Sequence, residues 1–170
     1  MKTLERTVNG IDVVTRWVGR VASFLIVPLI VLICYDVFMR YVLNRPTDWA
    51  DELSCYLFGT MWLLGGAYAS LYNAHVGMDV FYMRFSKRGR AIIDLCTSVF
   101  FFLFTGVLLW QAMDMTIISW EKLEISNSTW GPPIFPVKTM VPLGAALILL
   151  QGLAKFTRDL AAAFGWRKQV

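Results

Sequence analysis

The residues best able to do polar chemistry are concentrated in one stretch, Asp36–Leu53 (DVFMRYVLNRPTDWADEL). Asp36 and Arg40 are spaced i,i+4 with the acid first, the order that favours an ion pair along a helix. Asn44, Arg45 and Pro46 read as a turn, because proline biases the residue before it away from helix. Thr47 or Asp48 can cap the helix that follows. Asp51 and Glu52 then fall in its first turn, where a carboxylate complements the helix dipole by about 0.3–1 kcal/mol. Two readings follow. One is a well-capped helical hairpin. The other is a docking surface for a partner, carried by Asp36, Arg40, Tyr41, Asn44, Pro46, Trp49, Asp51 and Glu52.

Other familiar chemistry is missing. The chain has one His and three Cys. A single His excludes a bis-histidine haem held by this chain alone. Cys34, Cys55 and Cys96 fall within or near apolar segments and read as small packing residues. No glycine-rich phosphate loop, HExxH or GxSxG is present. No catalytic, cofactor-binding or metal-ligating residue is therefore expected. His75, in His75-Val76-Gly77-Met78-Asp79-Val80, is titratable near neutral pH, but a lone loop His is usually neither a sensor nor a ligand. Asn127-Ser128-Thr129 matches a glycosylation sequon, a short pattern common by chance.

The elements that must position these residues follow from composition. Of 170 residues 57% are hydrophobic and 16% charged, against about 45–50% and about 25% in soluble domains. That balance excludes a disordered chain. Asp, Glu, Lys and Arg are absent from Val21–Tyr35, Leu53–His75, Leu95–Met113 and Thr139–Ala154. A helix needs about 20 mostly apolar residues to cross a hydrocarbon core of about 30 Å. The expected fold is an all-α integral membrane protein, one domain over 1–170, with transmembrane helices near 18–39, 51–72, 92–116 and 136–157. Pro28 and Pro142 would kink the first and last of them.

Twelve of the 16 Lys and Arg lie in the N-terminal segment (Lys2, Arg6, Arg16, Arg20), the second connection (Arg84, Lys87, Arg88, Arg90) and the tail (Lys155, Arg158, Arg167, Lys168). By the positive-inside rule both termini are cytoplasmic. The net charge of +4 thus records topology and does not point to nucleic acid. Trp17, Tyr35, Tyr41, Trp49, Tyr72, Tyr82, Trp120 and Trp130 fall near the expected interfaces, whereas Trp62 and Tyr68 are expected to pack against a helix. Residues 3–18 place Leu4, Val8, Ile11, Val14 and Val18 at helical spacing, which suggests an amphipathic helix on the inner membrane surface. No small-x-small cleavage pattern follows, so the first span reads as a retained anchor.

Gly65/Ala69 and Gly66/Ser70 are small-xxx-small pairs that permit close helix approach, either within the chain or with another subunit. Phe81–Arg90, with Arg84, Lys87, Arg88 and Arg90, suits contact with anionic lipid at the inner surface. Trp130–Pro136 has three prolines and reads as an ordered turn. The expected helix centres are apolar, so no translocation site is visible.

These pieces together resemble the small membrane (DctQ-like) subunit of tripartite ATP-independent periplasmic (TRAP) transporters. The resemblance rests on Arg40–Pro46 with Trp49 and Asp51-Glu52-Leu53, on Gly65–Ala69, on His75–Val80, and on Pro132–Lys138 followed by Pro142-Leu143-Gly144-Ala145. It implies a small, non-catalytic permease subunit in a bacterial inner membrane. Its partners would be a large membrane permease, a periplasmic substrate-binding protein and membrane lipids, but no nucleic acid. The complex would import organic carboxylates using a sodium gradient, with no cofactor in this chain. Arg40, Tyr41, Asn44, Pro46, Trp49 and Glu52 carry over as structural or docking positions. The alternatives are a membrane anchor of an oxidoreductase and a self-sufficient four-helix exporter.

Overall fold

A computed structural model describes residues 2–72 and 87–163. Its regular elements are α1 (Lys2–Phe24), α2 (Ile26–Tyr41), α3 (Asp48–Leu71), α4 (Lys87–Glu121), α5 (Phe135–Lys138) and α6 (Met140–Ala163). Among the described residues the one β-type contact is an isolated bridge between Ile125 and Pro133.

Prolines set two of the breaks. Pro28 has no N–H to give the carbonyl of Phe24, and α1 stops at that residue. Leu25 then bonds back to Ala22 in a tighter turn before α2 begins. Pro142 likewise offers nothing to the carbonyl of Lys138, where α5 ends. The Thr116 hydroxyl, whose shorter bond runs to the Ala112 carbonyl at 2.7 Å, also lies 3.2 Å from that carbonyl oxygen. The helix does not break at residue 18, the expected boundary between the interfacial and the spanning segment. No proline or turn signal lies there, and α1 runs through to Phe24.

Among the described residues three helical stretches are long and apolar enough to cross a membrane: Val8–Tyr41, Leu95–Glu121 and Phe135–Leu160. The expected span 51–72 forms α3 but is not among the three. Ser54, Gly59, Thr60, Gly65, Gly66 and Ser70 dilute its apolar content.

α6 lies between α4 and α3, and α3 carries α1 and α2 along its other side. α1 also reaches α6. α4 has no comparable contact with α1, α2 or α3, so the helices form an open row and not a closed bundle. One end of the row holds the 42–47 turn and the 122–134 loop; this is the hairpin end. The opposite end joins the middle of α1, at Asp12, to the later part of α6, at Arg158, and it is the terminal end.

The contact surfaces are built from small and polar residues. α1 buries Asp12, Thr15, Gly19 and Ala22, while Val13, Val14, Trp17 and Val21 are exposed. α4 buries Thr105, Ala112, Thr116 and Ser119, and α6 buries Gly144, Ala145, Gln151 and Ala154. In lipid, apolar side chains gain little by leaving one hydrocarbon environment for another, so small residues that bring backbones together make the interfaces. In α1 the face packed on the protein is the small and polar one, and the apolar residues of the 3–18 stretch such as Val14 point outward.

Candidate functional site at the hairpin end

Three linked polar clusters lie at the hairpin end. The first joins α2 to the turn after it. Asp36 accepts from Arg40 Nη2 at 2.9 Å and from Thr47 Oγ1 at 2.7 Å. The i,i+4 pair forms, with Asp36 only 9% exposed. The Thr47 hydroxyl bonds the Asp36 carboxylate and makes no capping bond to α3. The turn places Asn44 at φ 52°, a left-handed conformation that asparagine tolerates better than most residues. The Arg45 amide bonds to the Met39 carbonyl at 2.9 Å and closes that turn onto α2.

The second cluster ties α3 to the 122–134 loop. Glu52 accepts from the Tyr56 hydroxyl one turn along α3, and from Ser128 Oγ at 2.5 Å. Ser128 Oγ also accepts from the Gly131 amide at 3.2 Å. Gly131 has φ 59°, so a side chain there would strain the loop. The Trp49 ring sits 5.7 Å from Tyr35 and 6.5 Å from Trp130, giving an aromatic chain across α2, α3 and the loop. The bonds Ser126 N–H to Pro132 C=O and Ile134 N–H to Glu124 C=O zip the loop into the ordered turn that its prolines suggest.

The third cluster closes α4 onto α5. Glu124 accepts from Lys138 Nζ at 2.5 Å and from Ser119 Oγ at 2.7 Å. The bonds from Lys138 and then Ser119 hold the Glu124 carboxyl below the usual glutamate range. Trp120 Nε1 donates to Thr139 Oγ1 at 2.9 Å, and its ring packs on Phe135 with centroids 4.6 Å apart. Beside these groups a shallow cleft of about 440 Å³ is lined by Gln111, Asp114, Ile118, Lys122, Glu124 and Lys138. Among the described residues, no group of His, Cys, Asp and Glu side chains is placed to hold a metal ion.

The structure therefore brings Asp36, Arg40, Trp49 and Glu52 into one connected platform. Tyr41, Asn44, Pro46 and Asp51 stand exposed on it. In the glycine-rich stretch, Gly66 faces Ile148 of α6, where a Cβ would lie 3.3 Å from Cδ1. A Cβ on Gly65 would meet nothing within 4 Å. Ala69 and Ser70 are half-buried. Tyr68 packs over Gly19 of α1 as expected of a packed ring, but Trp62 is 66% exposed. Cys34, Cys55 and Cys96 are exposed as well, because an open row leaves outward helix faces that a closed bundle would cover. Arg84, His75 and Tyr82 lie outside the described residues, and Lys87, Arg88 and Arg90 fall in the first turn of α4.

A second polar assembly, at the terminal end, escaped the reading of the sequence. Gln151 Nε2 donates to Thr15 Oγ1 at 2.7 Å and lies 3.5 Å from Asp12 Oδ1. Arg158 Nη2 pairs with Asp12 Oδ2 at 2.5 Å. Asp12/Thr15 and Gln151/Arg158 are spaced i,i+3 and i,i+7, so each pair shares a helix face, and that was the available signal. All four side chains find partners in one another, and they clasp α1 to α6.

A family model described as the DctQ component of tripartite ATP-independent periplasmic transporters matches residues 29–162. A relative from Vibrio cholerae serotype O1, the sialic acid TRAP transporter small permease protein SiaQ, is 25% identical over 99 residues. That match takes in 58% of this chain, and the chain spans about half, 54%, of the relative's length.

Proposed function

The chain belongs to the DctQ component family of tripartite ATP-independent periplasmic transporters, and on that premise we propose that it is the non-catalytic small permease subunit of a binding-protein-dependent importer. In this reading it braces a large membrane permease, and α3 crosses the inner membrane as a fourth span beside the three long apolar stretches. Both termini face the cytoplasm. The complex takes up an organic carboxylate, driven by sodium. The sialic acid named for the relative is itself of that chemical class, which supports the substrate class without fixing the compound.

The observation that supports a bracing role is the small-residue row itself. Its polar clusters are answered within the chain, as at Asp12–Arg158 and Glu124–Lys138, while large apolar faces are left outward. A chain built this way has surface for a membrane partner. The hairpin-end platform, on the periplasmic side in this orientation, then serves the binding protein.

The test is reconstituted uptake. Proteoliposomes with this chain, a large permease and a binding protein should accumulate substrate under a sodium gradient. Omitting this chain should abolish accumulation, and normal uptake without it would reject the proposal. Asp51→Lys probes docking in the same assay, since Asp51 is exposed whereas Glu52 is tied to the loop. Asp51→Lys should slow uptake while the complex still co-purifies; unchanged uptake would remove the docking role from this surface.

A further inference from the structure

A groove of about 250 Å³ opens where α1 meets α3, walled by Gly19, Ala22, Ile26, Met61 and Gly65 and closed toward the terminal end by Tyr68. Its surface is almost wholly apolar. The one hydroxyl on the α1 side, Ser23 Oγ, is spent on the Gly19 carbonyl at 2.8 Å. The space exists because small residues line it and because α1 stops at Phe24, just where α2 would have to continue past α3.

Two arginines follow the groove along α1 on its terminal side. Ser23, Arg20 and Arg16 are spaced three and four residues apart, so they run up one edge of α1 from the groove toward the terminal end. Both arginines are exposed, and both lie within electrostatic reach of Tyr68. Neither has an ion-pair partner among the described residues. Tyr72 stacks beside Tyr68 with ring centroids 4.9 Å apart. Arg20 directly precedes the uncharged run that begins at Val21. From Arg20 to Tyr41 the helices rise about 30 Å, one hydrocarbon thickness, which puts Arg20 at headgroup depth. Exposed Trp17 lies at the same level, where amphipathic rings prefer to be.

We propose that this groove is a specific site for one anionic phospholipid, with an acyl chain along Ala22, Ile26, Met61 and Gly65 and its phosphate on Arg16 and Arg20. A hydrocarbon slot one turn deeper than two guanidinium groups matches a lipid with an acidic headgroup. A partner helix in the slot would cover the apolar wall and leave both charges without a counter-ion. Basic pockets between transmembrane helices are a recognised mode of anionic-lipid binding. The site differs from the basic segment 81–90. It rests on the membrane-spanning reading of the chain and is independent of sodium coupling and of the transport role.

The test uses the full chain purified in mild detergent, stripped of lipid, and given equal amounts of phosphatidylglycerol and phosphatidylcholine before native mass spectrometry. Wild type should retain a single phosphatidylglycerol with a preference of about tenfold to thirtyfold, as two basic contacts supply. R16Q/R20Q should reduce that preference to near one, whereas R16K/R20K should keep most of it. G65L should lower retention of both lipids by filling the slot, without changing the preference among what remains. Circular dichroism reports that each variant is folded. Equal retention of the two lipids by wild type, or an unchanged preference in R16Q/R20Q, would overturn the proposal. So would loss of the lipid when a large membrane partner is co-purified, because the slot would then be a protein contact.

Discussion

Glu124 stands where α4, the loop and α5 meet, and its two donors come from different elements: Ser119 from α4 and Lys138 from α5. Its backbone also ends α4, since the Glu124 amide bonds to the Ser119 carbonyl while Leu123 takes a left-handed φ of 46°. That is the capping pattern usually built on glycine. One residue thus fixes the helix end with its backbone and the next helix with its side chain. Because Glu124 is held below its ordinary pKa by those donors, the folded state favours its ionised form. Above the unfolded-state value of about 4.3 the full contribution is present. As pH falls from there through the depressed folded value, the unfolded chain takes up the proton first and stability is lost. In unfolding titrations, wild type should exceed Glu124→Gln at neutral pH, and the gap should close in that acid window. A constant gap across it would place the carboxylate's role elsewhere.

Helix contacts in this chain depend on what is absent from side chains. A Cβ at Gly144 would lie 2.9 Å from the Leu63 carbonyl oxygen, a backbone atom with no rotamer to yield. Gly144→Ala should therefore push α3 from α6 and cost about 1–3 kcal/mol, the usual range for overpacking. Gly59→Ala, with nothing within 4 Å of the new atom, should change stability little or raise it by up to about 1 kcal/mol through helix propensity. Unfolding by denaturing detergent in mixed micelles measures both, and equal effects would break the link between close approach and stability. The same physics decides what could be read beforehand. Uncharged runs such as Leu95–Met113 show in one dimension, and Pro28 and Pro142 mark breaks by a missing donor. Gly65 and Gly66 are adjacent in sequence and alike in type, yet only Gly66 meets another helix. Residues 3–18 show the same limit: their apolar spacing marks a lipid-facing side, and the opposite face, with Asp12 and Thr15, packs on the protein through partners far along the chain. At the site, Asp36–Arg40 followed from local spacing. Glu52–Ser128 and Asp12–Arg158 are separated by 76 and 146 positions, and no local pattern pairs them.

At the scale of the molecule, the alternation of helix ends is built into the contacts. Trp49 meets Trp130 at one end, and Asp12 meets Arg158 at the other. The first pair joins α3 to the 122–134 loop and the second joins α1 to α6, so the four crossings proposed above would place α1 and the end of α6 on one side. The side of the membrane that each end occupies is then a single binary choice. The orientation proposed above makes that choice by the positive-inside rule, since Arg16, Arg20, Lys155 and Arg158 crowd the terminal end while Asp48, Asp51, Glu52 and Glu121 crowd the other. In a background lacking Cys34, Cys55 and Cys96, Asn127→Cys should react with a membrane-impermeant maleimide in intact spheroplasts. A cysteine appended after Val170 should react only once the membrane is broken. The two sites must answer oppositely if the alternation is right, and in that order if the charge rule sets the side. The reverse order would put the hairpin-end platform in the cytoplasm, out of reach of any periplasmic protein. The docking role proposed for that platform would then fail, while the alternation itself would stand. Labelling of both sites in intact spheroplasts would instead break the alternation.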